Sequence, residues 1–413
     1  MVGSSNTHPN PKIKEQPMDK FTRKSSFEQW ISPIDFKKIS KQVTILNLDH
    51  YTKKLNTLSF IRLLLFSQLV ESESLRAISD SVFSEELQKT IGFTSISYSQ
   101  LSRKLAEVPT EIFQNIFLEL LNQIHCKNNF SQKRKLTTPL KIIDSGTLPL
   151  NLRNHRWAKF RKTKSGVKLH MRLVHMLDYD SYPDNFYITN ACENDQNHLE
   201  LFVDDKECLY VFDRGYVNYQ RFDEMTDDGY FFVSRLRKNA VHRVIRTFEV
   251  NENSHIISDQ MVVVGTILNR SENYFRRILV KDSSGNELVL ITNRFDLSPE
   301  EIGEIYKSRW SIELFFKWIK QHLNVKTFYG HSETAVANQV YIAMIVYCLN
   351  VITKLSTNSK KIYSKLHGYL KLQYGKVAIY GYEESVITYL NTNIFYHYAN
   401  GNFIVKKMDD YYL

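Results

Sequence analysis

The apolar residues of this chain change period once, near Thr138, and that switch limits the fold more than any other feature. From about Phe27 to Asn128 they recur at three- and four-residue spacing, as in Leu58, Ile61, Leu64, Leu65 and again in Ile112, Ile116, Leu120, Ile124. Such spacing lines one face of a helix and predicts a separate all-α module over residues 27–138. After Thr138 the pattern is that of strands. Leu140–Asp144 and Cys208–Asp213 are short apolar runs ending in an acid, Val167–Val174 alternates with period two, and Phe186–Thr189 adds a third strand between them. With short helices expected through Leu199–Val203 and Tyr219–Met225, residues 139–356 read as an α/β domain on a mixed sheet. Within it Tyr230–Leu236, Val241–Glu249, Gln260–Leu268, Tyr274–Val280 and Leu288–Asn293 follow closely without helical spacing. They predict an inserted β-subdomain or a sheet extension over about 236–293.

Local signals punctuate this plan. Ser72–Ile78 followed by Ser97–Leu105 has the look of a helix, a turn and a second helix, which suits a DNA-reading unit or an ordinary bundle. Lys127–Thr138, basic and polar, is expected to be a linker. Ser298-Pro299-Glu300-Glu301 carries an N-cap, a proline at the first helical position and a reciprocal capping acid, so one helix should run from there to about His322. A second long helix is expected over Glu333–Leu355. Its apolar stretch Val340–Ile352 is shorter than the roughly 20 residues of a membrane span and reads as a buried helix. Residues 1–26 are polar, have no secretory apolar region, and are expected to be disordered, with Met18 an alternative start. Residues 357–413 are mixed and tyrosine-rich, a segment for dimerisation or DNA contact.

Charge and cysteine narrow the class. Lys and Arg number 54 against 44 Asp and Glu, a net charge of +10, which favours a polyanionic partner such as nucleic acid. The four cysteines form no CxxC pair, so neither a zinc knuckle nor a disulfide framework is indicated, and a reducing cytosol fits.

Three carboxylates stand out by position. Asp144 and Asp213 each end an apolar run, where an α/β sheet commonly places reacting groups, although strand-end Asp also serves turns. Glu313 lies in an aromatic-rich helix with Tyr306, Arg309 and Lys320 at offsets that keep all four in a stripe about 60° wide. A carboxylate to hold a metal, two cations to grip phosphate and a phenol to donate a hydrogen bond would share that face. An exposed salt-bridged face, with Glu313 pairing Lys317 or Arg309, is the plainer alternative.

The series Tyr306-x2-Arg309-x3-Glu313-x6-Lys320 resembles the signature of DDE transposases of the insertion-sequence-four type. Ile142-Ile143-Asp144-Ser145-Gly146-Thr147 resembles the strand of that family's first Asp, and Phe212-Asp213-Arg214-Gly215-Tyr216 that of its second. The resemblance covers about Leu140 to Leu355. It implies an RNase H-like catalytic domain with a β-rich insertion, preceded by the helical region as the domain that binds DNA ends. It further implies Asp144, Asp213 and Glu313 as the ligands of two Mg²⁺ or Mn²⁺ ions, a set of hard oxygen donors that suits them. Tyr306, Arg309, Lys317, Lys320 and Arg214 are then expected to contact DNA. So are Arg161, Lys162, Lys164 and Lys168, part of a run of seven cations without an acid from Arg153 to Lys168, and His170 beside them. The implied partners are double-stranded element ends and target DNA, engaged by a dimer in the bacterial cytosol and not by a membrane protein. No Trp lies between Asp213 and Trp310, where hairpin-forming relatives stack a flipped base, leaving Tyr230, Phe231, Tyr274 or Phe275 for that role. The alternatives are a metal-dependent nuclease that does not join ends and an inactive DNA-binding descendant.

Overall fold

The computed structural model describes residues 26–132, 138–175, 181–251, 254–282, 285–322 and 328–357, and in the tail 368, 370, 394–399 and 402–407. The expectations for residues 1–25 and for most of 357–413 therefore lie outside the described residues. Seven helices come first: α1 (Ser26–Trp30), α2 (Phe36–Ile45), α3 (Thr57–Leu69), α4 (Leu75–Ser81), α5 (Glu85–Ile91), α6 (Tyr98–Glu107) and α7 (Thr110–Gln132). The sheet begins with β1 (Leu140–Leu150), β2 (Lys159–Arg161), β3 (Lys164–His175), β4 (Tyr182–Asn190) and β5 (Leu209–Phe212). After α8 (Tyr219–Asp227) come β6 (Phe231–Leu236), β7 (His242–Phe248), β8 (Ile256–Val264), β9 (Phe275–Lys281) and β10 (Glu287–Thr292). Helices α9 (Pro299–Lys307), α10 (Trp310–His322) and α11 (Glu333–Ser356) follow, and β11 (Ile394–Ala399) pairs with β12 (Asn402–Lys407) in the tail.

Strands β4, β3, β1, β5 and β6 lie side by side in that order. Strand β3 runs antiparallel to both β4 and β1, while β5 runs parallel to β1 and to β6. With helices packed on its faces this is an RNase H-like sheet. The expected β-rich stretch extends the same sheet, in the order β6-β10-β9-β8-β7. Its strand β8 starts at Ile256, four residues before the expected Gln260, because Ile256 through Val262 pairs with β9 in spite of the polar Ser258, Asp259 and Gln260. Asp259 is nevertheless buried, where Arg276 meets it at 2.6 Å. The Arg276 guanidinium also donates to the Leu297 carbonyl, tying the extension to the segment that enters α9.

Three expectations about the helical half change. Its helices form no core of their own: their buried residues join those of α11 and β1, β3 and β4 in one cluster. Helix α11 is the reason. Apolar on nearly every side, it must be covered all round, and α3, α6, α7 and β4 cover it. Trp30 Nε1 donates to Asn350 Oδ1 at 3.0 Å, and Asn338 Nδ2 donates to the Leu105 and Val108 carbonyls at 3.1 and 2.8 Å. At 24 residues α11 is long and apolar enough to cross a bilayer, but 89% of its apolar window is buried inside the protein. Second, α5 stands between α4 and α6, so Ser72–Ile78 and Ser97–Leu105 are not one helix-turn-helix. Gly92, at φ 81°, caps α5 in the left-handed conformation. Third, α7 continues to Gln132, which makes the first half of the expected linker helical.

Candidate active site

Strand pairing brings two acids together. Along β1 and β5 the parallel register ends at Ile143 opposite Phe212, so Asp144 and Asp213 follow it side by side. The sequence places Asp144 at the end of its strand, but the strand does not end there. Strand β1 runs on to Leu150 against β3, because the alternation of buried Leu148 and Leu150 with exposed neighbours keeps it paired. What ends at Asp144 is the contact with β5, and that opens a notch between the strands.

The third acid arrives on a helix pair. Ser298 and Glu301 form a capping box, with Ser298 Oγ accepting from the Glu301 amide at 3.1 Å and Glu301 Oε2 accepting from the Ser298 amide at 2.7 Å. The single helix expected from there to His322 is interrupted at Ser308 and Arg309. The Arg309 amide donates to the Tyr306 carbonyl, three residues back, and Ser308 Oγ donates to the Ile305 carbonyl at 2.6 Å. A hydroxyl bonded back to its own helix bends it. Tyr306 therefore sits in α9, Arg309 in the break, and Glu313, Lys317 and Lys320 on α10. Helix α10 lies directly on β1: a Cβ added at Gly146 would stand 2.8 Å from Phe316 Cδ1, so only glycine permits this approach.

The side chains meet at the notch. Tyr306 donates its hydroxyl to Asp213 Oδ1 at 3.0 Å. Arg309 Nη2 donates to Glu313 Oε1 at 2.5 Å, and its Nη1 lies 3.6 Å from Asp144 Oδ2. Arg309 also lies over the Tyr306 ring, at 5.7 Å. One guanidinium thus bridges two of the acids, and the phenol holds the third. Burial pushes the Asp144 carboxyl up to about 6, with the negative charges of Asp213 and Glu313 adding to it and the Ser145 amide and Arg309 opposing. Burial, then the Asp213 charge, likewise raises Tyr306, which stays a protonated donor.

Among the described residues no three Asp, Glu, His or Cys side chains are grouped closely enough to hold a metal ion as they stand. The donor set nonetheless fits a hard divalent cation. It consists of carboxylate oxygens alone, and Asp144 is crowded by like charge that only a cation relieves. Arg309 supplies that charge here.

The remaining expected contacts divide. Arg161, Lys162 and Lys164, with Arg153, Arg156 and Lys159, are all exposed around the short β2–β3 hairpin, and Arg214 is exposed beside Asp213. Lys317 and Lys320 are exposed on α10 and pair with no acid among the described residues. Lys168 and His170 do not face solvent as DNA contacts would. Lys168 donates to the Glu193 carbonyl at 2.5 Å and pairs with Asp195 at 3.2 Å, while the His170 side chain is fully buried and bonded through Nε2 to Thr189 Oγ1 at 2.9 Å. The turns Asp195–His198 and Glu200–Phe202, short 3-10 pieces where a helix was expected, cover that face of β3. Arg172, on the same face, is bound by Asp184 through two hydrogen bonds at 2.9 and 3.0 Å. Two groups escaped the sequence reading. Arg235, Arg237 and Lys238, at the end of β6, line a cleft with Arg214, and the parallel order β1-β5-β6 is what brings them to the Asp213 side. Ser145 and Asp195 lie behind Asp144; Ser145 stood in the first-Asp motif without a role, and the only sign of Asp195 was the polar run Asn194–His198.

Residues 136–349 match a family model described as a transposase DDE domain, and residues 22–94 match a domain of unknown function. The chain is 30% identical over 260 residues to "Probable transposase for insertion sequence element IS5377" of Geobacillus stearothermophilus, spanning 62% of this chain and 67% of that protein. A relative from Sinorhizobium fredii, also named as a transposase, y4zB, is 31% identical over 252 residues, 59% of this chain and 68% of its own length. Among solved structures, a piggyBac transposase synaptic complex with hairpin DNA aligns at 12% identity with a TM-score of 0.41, over 89% of this chain and 83% of that one.

Proposed function

Because the chain belongs to the transposase DDE-domain family, we propose that it binds the terminal inverted repeats of an insertion sequence, cuts there, and joins the freed 3′-OH to target DNA. The observation that carries this reading is the meeting of Asp144, Asp213 and Glu313 at one notch, with Arg309 bridging Asp144 and Glu313 and the Tyr306 hydroxyl holding Asp213.

In this reading Asp144, Asp213 and Glu313 hold two divalent ions, Mg²⁺ or Mn²⁺. When bound, these supply Lewis-acid activation of the attacking oxygen and stabilise the leaving one. The chain's own groups prepare the site. Tyr306 fixes the Asp213 carboxylate by its hydrogen bond, and burial keeps its proton in place. Arg309 pairs with Glu313 and opposes the rise of the Asp144 carboxyl until DNA enters, then turns to a phosphate oxygen that the same fork of donors suits. Lys317 and Lys320 carry the phosphate track along α10, Arg214 continues it past Asp213, and the β2–β3 hairpin cations grip the duplex beyond. Of the other expected contacts, Lys168 and His170 are withdrawn, since both are engaged within the fold. Two chains pair two ends, and the reaction takes place in the bacterial cytosol.

The test is a joining assay with a pre-cut end duplex carrying a 3′-OH and a supercoiled target plasmid. Joined product in Mg²⁺ is the expected result. Cleavage of uncut ends with no joining would identify a nuclease instead.

A further inference from the structure

Asp144 faces α10, and the next residue faces the other way, as strand alternation requires. On that opposite face Ser145 stands across from His170 in the β1–β3 register, and Thr147 across from Lys168. Ser145 donates its hydroxyl to Asp195 Oδ1 at 2.6 Å, and Asp195 is held in turn by Lys168 at 3.2 Å. His170 Nδ1 lies 3.7 Å from the same carboxylate, with the His198 ring tilted against its own at 4.1 Å. The Tyr216 hydroxyl is buried beside Asp144 and Asp195.

This polar cluster sits where β1 has just lost its neighbour β5, so nothing on the β5 side holds the backbone of Asp144 and Ser145 through sheet hydrogen bonds. Yet that backbone sets the aim of the carboxylate: the Ser145 amide donates to Asp144 Oδ1 at 2.8 Å, which leaves Oδ2 toward Arg309. An unbroken path therefore runs from Lys168 and Asp195 through the Ser145 side chain and amide to Asp144. We propose that Asp195 is a positioning residue for Asp144, acting through Ser145 from the opposite face of the sheet. The proposal rests on the reading of Asp144 as a metal ligand and assigns its orientation to a polar anchor outside the reactive cleft.

The experiment counts Mn²⁺ bound to the full chain, without DNA, by the electron paramagnetic resonance signal of the free ion. Ser145→Ala and Asp195→Ala are expected to raise the half-saturating Mn²⁺ by about tenfold or more, the usual effect of losing a group that orients a ligand. Asp195→Asn, which keeps an acceptor for the Ser145 hydroxyl, should fall between them and the wild type. End cleavage should then be weak at low Mn²⁺ and largely restored at saturation. Asp144→Asn separates the two claims. If it binds Mn²⁺ like the wild type, the ligand reading of Asp144 fails. If it loses Mn²⁺ while Ser145→Ala and Asp195→Asn keep wild-type affinity, positioning is overturned and the ligand reading stands. Thermal unfolding of each variant identifies any that does not fold, and Ser145→Ala, which removes one oxygen, carries the test if Asp195→Ala is lost.

Discussion

Replacing Asp144 by Asn should make the metal-free protein more stable at neutral pH while abolishing its chemistry. The Asp144 carboxyl is pushed from 3.8 up to about 6, first by burial and then by the charges of Asp213 and Glu313. A carboxyl raised in the folded state holds its proton more tightly there than in the unfolded chain. Its ionisation is therefore a penalty on folding that is absent below about pH 4, grows between 4 and 6, and is complete above 6. Each unit is worth about 1.4 kcal/mol, so the full penalty is about 3 kcal/mol. The side chain is 23% exposed, and solvent screening lowers this to roughly 1–2 kcal/mol. Asn has nearly the same shape, keeps an acceptor for the Ser145 amide, and carries no charge. The assay is urea unfolding of both proteins in chelator from pH 4.5 to 7.5. Because Asp49, Asp204, Asp205 and Asp296 are shifted downward and stabilise with rising pH, the quantity to read is the difference between variant and wild type. That difference should be smallest at pH 4.5, where roughly a third of the penalty is already present, and should grow to favour Asn by about 1–2 kcal/mol above pH 6. Excess Mg²⁺ should reverse it, since only the wild type gains from the ion. A flat difference, or an Asn variant less stable at pH 7, would refute the reasoning.

Other perturbations probe the frame around this acid. Gly146→Ala places a methyl against Phe316, so it should cost about 1–3 kcal/mol of stability and reduce cleavage more than end binding, because α10 and Glu313 move away from β1. Tyr306→Phe removes the hydrogen bond to Asp213, and single-turnover cleavage should fall by about tenfold or more with end affinity nearly kept. End binding should weaken steeply with salt, and Lys320→Ala should lower the slope of log affinity against log salt by about one. An unchanged slope would remove Lys320 from the phosphate track.

Much of this was legible in residue order, for identifiable reasons. The strands that lead to Asp144 and Asp213 announce themselves because a buried strand needs a mostly apolar run, interrupted here only by Lys141, and each run stops at its acid. The capping box at Ser298 is local chemistry and was readable as such. The break at Ser308 was not, since neither Gly nor Pro marks it and a serine hydroxyl makes it. Nor was the shared core of the two halves: the helical period tells which face of α3 or α11 is apolar, but not what covers it. The assignment of Lys168 and His170 to DNA failed for a related reason. Alternation puts both on one face of β3, yet only the turn at Asp195–His198, distant in sequence, decides that this face is closed. Gly92 did mark the end of α5, the helix that the expected helix-turn-helix omitted.

The most direct test of the central claim, that three acids gathered at one notch perform the reaction, is end cleavage by Glu313→Gln under single-turnover conditions in Mg²⁺, with end binding measured alongside. Gln keeps the shape of the side chain and removes its charge. Binding within a few-fold of wild type, together with a loss of cleavage and joining of about a thousandfold or more, is the predicted result. Cleavage near the wild-type rate would contradict it.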